Sequence, residues 1–121
     1  MPKKATEAFL TNFTSREDVI KEYHAPANAL DNAMVYLAWY GYGSYDGSSL
    51  VLFKKDGKLY EVNGSHCSCY GLEDQWEPVE TSWEALAMRN MDDSSDGSAE
   101  ANTVLAELVK KNLRKKKEKQ Q

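Results

Sequence analysis

The stretch Leu50 to Val62, LVLFKKDGKLYEV, decides the fold. Two apolar runs, Leu50-Val51-Leu52-Phe53 and Leu59-Tyr60-Glu61-Val62, stand on either side of Asp56-Gly57. Each has the length of a strand and the aliphatic or aromatic content that suits one. Asp-Gly between two strands favours a type I′ turn, because both central residues then take positive φ and the twist of the turn matches that of the strands. The stretch is therefore a β-hairpin, and it implies an antiparallel sheet.

Upstream, Met34 to Tyr40 (MVYLAWY) is a further strand, closed by Gly41 and Gly43 and followed by a loop from Gly43 to Ser48. Before it, Ala5, Phe9 and Phe13 share one face of a short helical pattern. Thr14 or Ser15 caps a second helix, with Ser15 and Asp18 in the S-x-x-D arrangement. Pro26 disfavours helical geometry at Ala25, so this helix ends near Tyr23. Two short helices are thus expected to open the chain.

Downstream, Asn63-Gly64-Ser65 reads as a tight turn that closes the sheet. Pro78 excludes a central strand, so the segment around it is an edge strand or an extended loop. Thr81-Ser82-Trp83-Glu84 is a capping box that opens a helix to about Asn90. Ser98 caps a last helix to about Lys116, whose apolar stripe is Ala101, Val104, Leu105, Leu108, Val109 and Asn112/Leu113. The expected class is α+β: a small antiparallel meander of three to four strands packed by N- and C-terminal helices, with the helices over one face. At 121 residues there is room for one domain, residues 1–109, followed by a basic helix end or tail at 110–121.

Charge is unevenly placed. The net value is −4, yet residues 110–121 hold seven Lys/Arg against one Glu, a local +6, which leaves −10 on the rest. Between Glu73 and Glu107, ten acidic residues face a single Arg89. A body so acidic repels nucleic acid and favours basic partners. No apolar run is long enough to cross a bilayer, and MPKKATEAFL lacks the apolar core of a signal peptide, so a cytoplasmic, membrane-free location is expected.

His66, Cys67 and Cys69 are the residues whose chemistry is richest. They can furnish three soft ligands for Zn²⁺, but a structural zinc needs four, usually from two spaced pairs. A metal shared by two copies of a homodimer is one way to complete such a site. Cys67 or Cys69 as a nucleophile would need His24 or His66 as a base within reach, and adjacent residues of an extended segment point apart. Small buried cysteines packing as hydrophobes are the simpler reading, with no cofactor and no catalytic set. An anion nest in this loop is disfavoured by the absence of Lys or Arg between Leu59 and Trp83.

The aromatic residues exceed what one small core absorbs, and strand alternation puts some of them outside. The expected binding surface joins Tyr42, Tyr45, His66, Tyr70 and Trp76 to a rim of Asp46, Glu73, Asp74 and Glu77. An alternative surface for nucleic acid is the tail: Lys110, Lys111, Arg114, Lys115, Lys116 and Lys117.

From residues 41 to 86 the chain resembles small uncharacterised proteins of bacteriophages and prophages, most specifically at GSHCSCYGLEDQWEP, residues 64–78. The resemblance carries no catalytic or binding residue across. It implies a small acidic binder that inhibits or redirects a host protein, such as a nucleic-acid enzyme or a defence factor, in the host cytoplasm.

Overall fold

Asp56 and Gly57 have φ of 53° and 78°, as a type I′ turn requires, and Lys55 pairs with Lys58 across them. Apart from Gly57 and its two chain neighbours, no residue comes within 4 Å of where a Gly57 Cβ would be, so the need for glycine there is purely conformational. Gly57→Ala is expected to cost about 1 kcal/mol, seen as a lower urea midpoint with unchanged slope.

A computed structural model describes residues 8–11, 13–41, 46–67, 71–88 and 98–119. Its elements are β1 (Ala8–Thr11), α1 (Arg16–Tyr23), β2 (Met34–Tyr40), β3 (Asp46–Lys55), β4 (Lys58–Cys67), β5 (Val79–Glu80), α2 (Trp83–Ala87) and α3 (Ser98–Lys119). The fold is α+β. Strands β2 to β5 form the antiparallel meander, and the sheet order follows the chain, β1-β2-β3-β4-β5.

Two features differ from the sequence expectation. The first is at the N-terminus, where β1 takes the place of the opening helix and pairs parallel with Leu37–Tyr40 of β2. Its return is made by α1, so β1-α1-β2 is a crossover unit, the connection that parallel neighbours need. A four-residue strand held by pairing with distant sequence overrides a weak local helical pattern.

The second concerns the faces of the sheet, because helices cover both of them. On one face α1 brings Val19 and Tyr23 onto Val35, Ala38, Tyr40, Val51, Phe53 and Val62. On the other, α2 and α3 bring Leu86, Ala101, Leu105 and Val109 onto Tyr36, Leu37, Trp39, Leu50 and Leu52. Buried on both sides, β2 is apolar at nearly every position and does not alternate. One irregularity keeps the two faces sorted. Val35 pairs with Phe53 and Leu37 with Leu52, leaving Tyr36 as an extra residue in a bulge. Tyr36 and Leu37 therefore both face the α3 side, and every later pair stays in phase; without the bulge a one-residue slip would exchange the faces.

The helix ends follow local rules. The Ser15 hydroxyl accepts from the Asp18 N–H, and the Asp18 carboxylate accepts from the N–H and hydroxyl of Thr14, so both suggested caps take part. The two Thr14 bonds, the hydroxyl first, hold the Asp18 carboxyl below its usual range. His24 ends α1 in the left-handed region, with φ of 53°. Ser82, one residue later than the expected cap, accepts from the Ala85 N–H and starts α2, which ends at Ala87. The Arg16 guanidinium donates to the carbonyls of Leu30 and Ala33, at 3.1 and 2.6 Å, and ties the connector 24–33 to α1.

Candidate functional site

The acidic segment Gly71 to Glu80 runs along the β4/β5 edge of the sheet, anchored at alternating points. Leu72 is fully buried in the first core. Trp76 packs on the same core, stacked on Phe53 at 5.8 Å and edge-on to Tyr23 at 5.4 Å. Between these anchors the Gln75 amide imitates a strand partner. Its Oε1 accepts from the Ser65 N–H at 2.8 Å, and its Nε2 donates to the carbonyls of Ser65 at 2.7 Å and Gly71 at 3.0 Å. One side chain thus covers the β4 edge where β5 does not reach, a usual need of exposed sheet edges.

Beneath this segment lies a buried polar contact. The Tyr23 hydroxyl, at the end of α1, donates to Ser49 Oγ at 2.7 Å, and burial pushes the Tyr23 pKa up to about 12. Ser49 pairs across the ladder with Gly64, and the Tyr23 ring and Leu72 lie directly over that glycine. Asn63-Gly64-Ser65, expected as a turn, is accordingly the interior of a ten-residue strand, β4. Its glycine is there for close approach and not for a bend.

With Leu72, Gln75 and Trp76 turned to the body, Asp74, Glu77, Pro78, Val79 and Glu80 are exposed. Val79 is a large apolar residue with 61% of its surface open. Asp74 has φ of 65°, a left-handed conformation that Asp and Asn tolerate. Glu73 folds back, taking the Gly71 N–H at 3.1 Å. Its own N–H and that of Gly71 hold its carboxyl below the usual range, with desolvation opposing and His24 assisting. The Thr81 N–H donates to the Leu59 carbonyl and Glu61 pairs with Val79, so the backbone groups of Pro78 and Glu80 point away from β4. Pro78 has no N–H to offer there. The edge is poor at adding a strand, and it presents side chains instead.

The other sequence-derived candidates fall as follows. Asp46 pairs with Cys67 and Gly47 with His66, so the ladder brings the flanks of residues 42–45 and 68–70 to one end of the sheet. The backbones of Asp46, His66 and Cys67 are placed; Tyr42, Tyr45, Cys69 and Tyr70 lie outside the described residues. Among the described residues no group of three His, Cys, Asp or Glu gathers as a metal site would, and no helix is long and apolar enough to cross a membrane. Trp76 belongs to the core more than to the surface. Lys110, Lys111 and Arg114 are exposed on α3, which continues as helix through Lys115, Lys116 and Lys117.

Two shallow hollows lie elsewhere on the described surface. One, of about 400 Å³, lies between α2 and α3 and is lined chiefly by Leu86, Leu105, Ala106 and Val109, with Lys110 at its rim. The other, of about 380 Å³, lies between α1 and the connector, beside Arg16, Glu17 and Asp31. Sequence reasoning missed Gln75, Tyr23 and Ser49. Each acts on a partner at least ten positions away, which no local pattern encodes.

The fold and this edge define an α+β protein whose sheet is covered on both faces and bordered by acidic side chains. No protein-family model, curated protein or solved structure matches the chain.

Proposed function

We propose that this is a small, non-catalytic binding protein of the phage type that docks a basic surface of a host protein against the acidic β4/β5 edge. The observation that carries the reading is the exposed set Asp74, Glu77, Val79 and Glu80, an apolar residue among carboxylates on a rigidly anchored segment. Anchored segments lose little entropy on binding, and complementary charge speeds encounter and rejects wrong partners. Inhibition by occlusion fits a host nucleic-acid enzyme or defence factor, whose own basic surface is the complement of this edge. The setting that goes with it is the host cytoplasm, without membrane or cofactor. The paired backbones of Asp46 and Gly47 with Cys67 and His66 lie at one end of the same sheet.

A tagged chain is expected to capture one stoichiometric protein from nuclease-treated bacterial lysate and to release it at high salt. The triple variant Asp74→Asn/Glu77→Lys/Glu80→Lys, which keeps a side chain suited to the left-handed site at 74, is expected to weaken that complex at least about tenfold. Unchanged affinity in this variant would remove the edge from the interface.

A further inference from the structure

The basic end of α3 is separate from the acidic edge and has chemistry of its own. We infer that Lys110 to Lys119 is a docking surface for the phosphate backbone of double-stranded nucleic acid, read by charge and not by sequence. Val109 is buried against the sheet and Leu113 is, among the described side chains, the last of α3 packed on that core, while the helix runs on to Lys119. The chain thus continues as regular helix beyond the stripe that its own fold uses.

Composition selects the partner. Lys110 to Lys119 holds seven cations against Glu118, and Glu107 stands one turn before Lys110 and Lys111. After Leu113 there is no apolar or aromatic residue in RKKKEKQQ. A membrane-binding helix needs an apolar face to insert, and a protein interface needs a buried anchor; this segment has neither. Single-stranded nucleic acid is held largely by aromatic stacking, which is also missing. Phosphates of a duplex ask only for positive charge, and binding them releases counterions.

Position reduces the opposition from the acidic body. α3 packs against α2, β2 and β1, whereas the acidic edge follows β4 and β5. From β2 to β5 is three strand spacings, roughly 14 Å across the sheet. Glu100, near the start of α3, is 14 residues before Arg114, about 21 Å along the helix axis. Both separations exceed the Debye length of about 8 Å at physiological salt. Closer to the cations, Glu107 offsets about one of them, and α2, which packs on α3, carries Glu84.

The test is fluorescence anisotropy of a labelled DNA duplex titrated with the intact protein. Neutralising four or five phosphates is expected to lower affinity on the order of 10²- to 10³-fold between about 50 and 200 mM salt. Lys110→Glu/Lys111→Glu/Arg114→Glu is expected to abolish binding while circular dichroism and melting temperature hold. Removal of residues 114–121 is the second variant, should the triple variant fold poorly, and it is expected to weaken binding and flatten the salt dependence. An unchanged anisotropy at low salt overturns the inference. So does undiminished binding in a folded variant of either kind, or capture by phosphatidylserine vesicles without capture of the duplex.

Discussion

Gly64→Ala is expected to lower the unfolding free energy by about 2 kcal/mol, although a single methyl group is added to a strand. A Cβ at residue 64 would lie 2.9 Å from Leu72 Cδ2, 2.9 Å from the Tyr23 hydroxyl and 3.2 Å from Tyr23 Cε1. These are side-chain atoms, which elsewhere would swing aside, but Leu72 and Tyr23 are both fully buried. Tyr23 is further held by Ser49 through its hydroxyl and by the rings of Phe13 and Trp76. Added apolar burial returns less than about 1 kcal/mol, so overpacking prevails. Urea unfolding should show a lower midpoint with the slope kept. A double-mutant cycle makes the cause explicit. Tyr23→Phe removes the clashing oxygen, at a cost of about 1 kcal/mol for the lost bond to Ser49. In its presence Gly64→Ala should then cost at least about 0.5 kcal/mol less. Strict additivity would show that the Tyr23 hydroxyl is not what the methyl meets.

The same glycine marks the boundary of what local sequence expresses. Asp56-Gly57 and Asn63-Gly64 are nearly the same dipeptide signal, and in sequence each reads as a turn. One is a turn because the runs flanking it can pair with each other. The other serves a tyrosine that comes from 41 positions upstream, and nothing within a short window distinguishes the two cases. Features set by neighbours along the chain were legible: the Ser15 cap, the Pro78 edge, the strand at Met34–Tyr40 and the α3 stripe of Ala101, Leu105 and Val109. Features set by distant partners were not, and β1, parallel to β2, is the plainest example. The two-sided burial was half-legible. VYLAWY in β2 has no polar alternation, which in itself implies cover on both faces, but the shortness of α1 and α2 concealed that there were helices enough to provide it. Of the candidate site, the acidic positions could be read directly from the chain. Which neighbours turn inward could not, since Leu72, Gln75 and Trp76 are oriented by β4, Tyr23 and Phe53.

Trp76→Ala is expected to cost about 3 kcal/mol in stability, the low end for removing a large aromatic side chain, because the indole is only part-buried. The loss has identifiable parts. Its plane lies 7° from that of Phe53 and its edge meets Tyr23, so two aromatic contacts go together with the apolar area. Phe53 in turn stacks on Tyr60, whose strand position faces Glu80 of β5, so loosening at residue 76 reaches the acidic edge through the core. A tryptophan that anchors a partner would behave differently, costing affinity and leaving the fold intact. Trp76→Phe separates the two roles. It keeps a ring against Phe53, so it should retain most of the stability, and partner affinity measured well below the unfolding transition should stay within about twofold of the parent. Asp74→Asn/Glu77→Lys/Glu80→Lys should give the converse, stability held and affinity lost, since these side chains are exposed. If Trp76→Phe instead weakened the complex tenfold with an unchanged melting temperature, the indole would belong to the interface. The docking surface would then have to include the gap between Tyr23 and Phe53 that the indole fills.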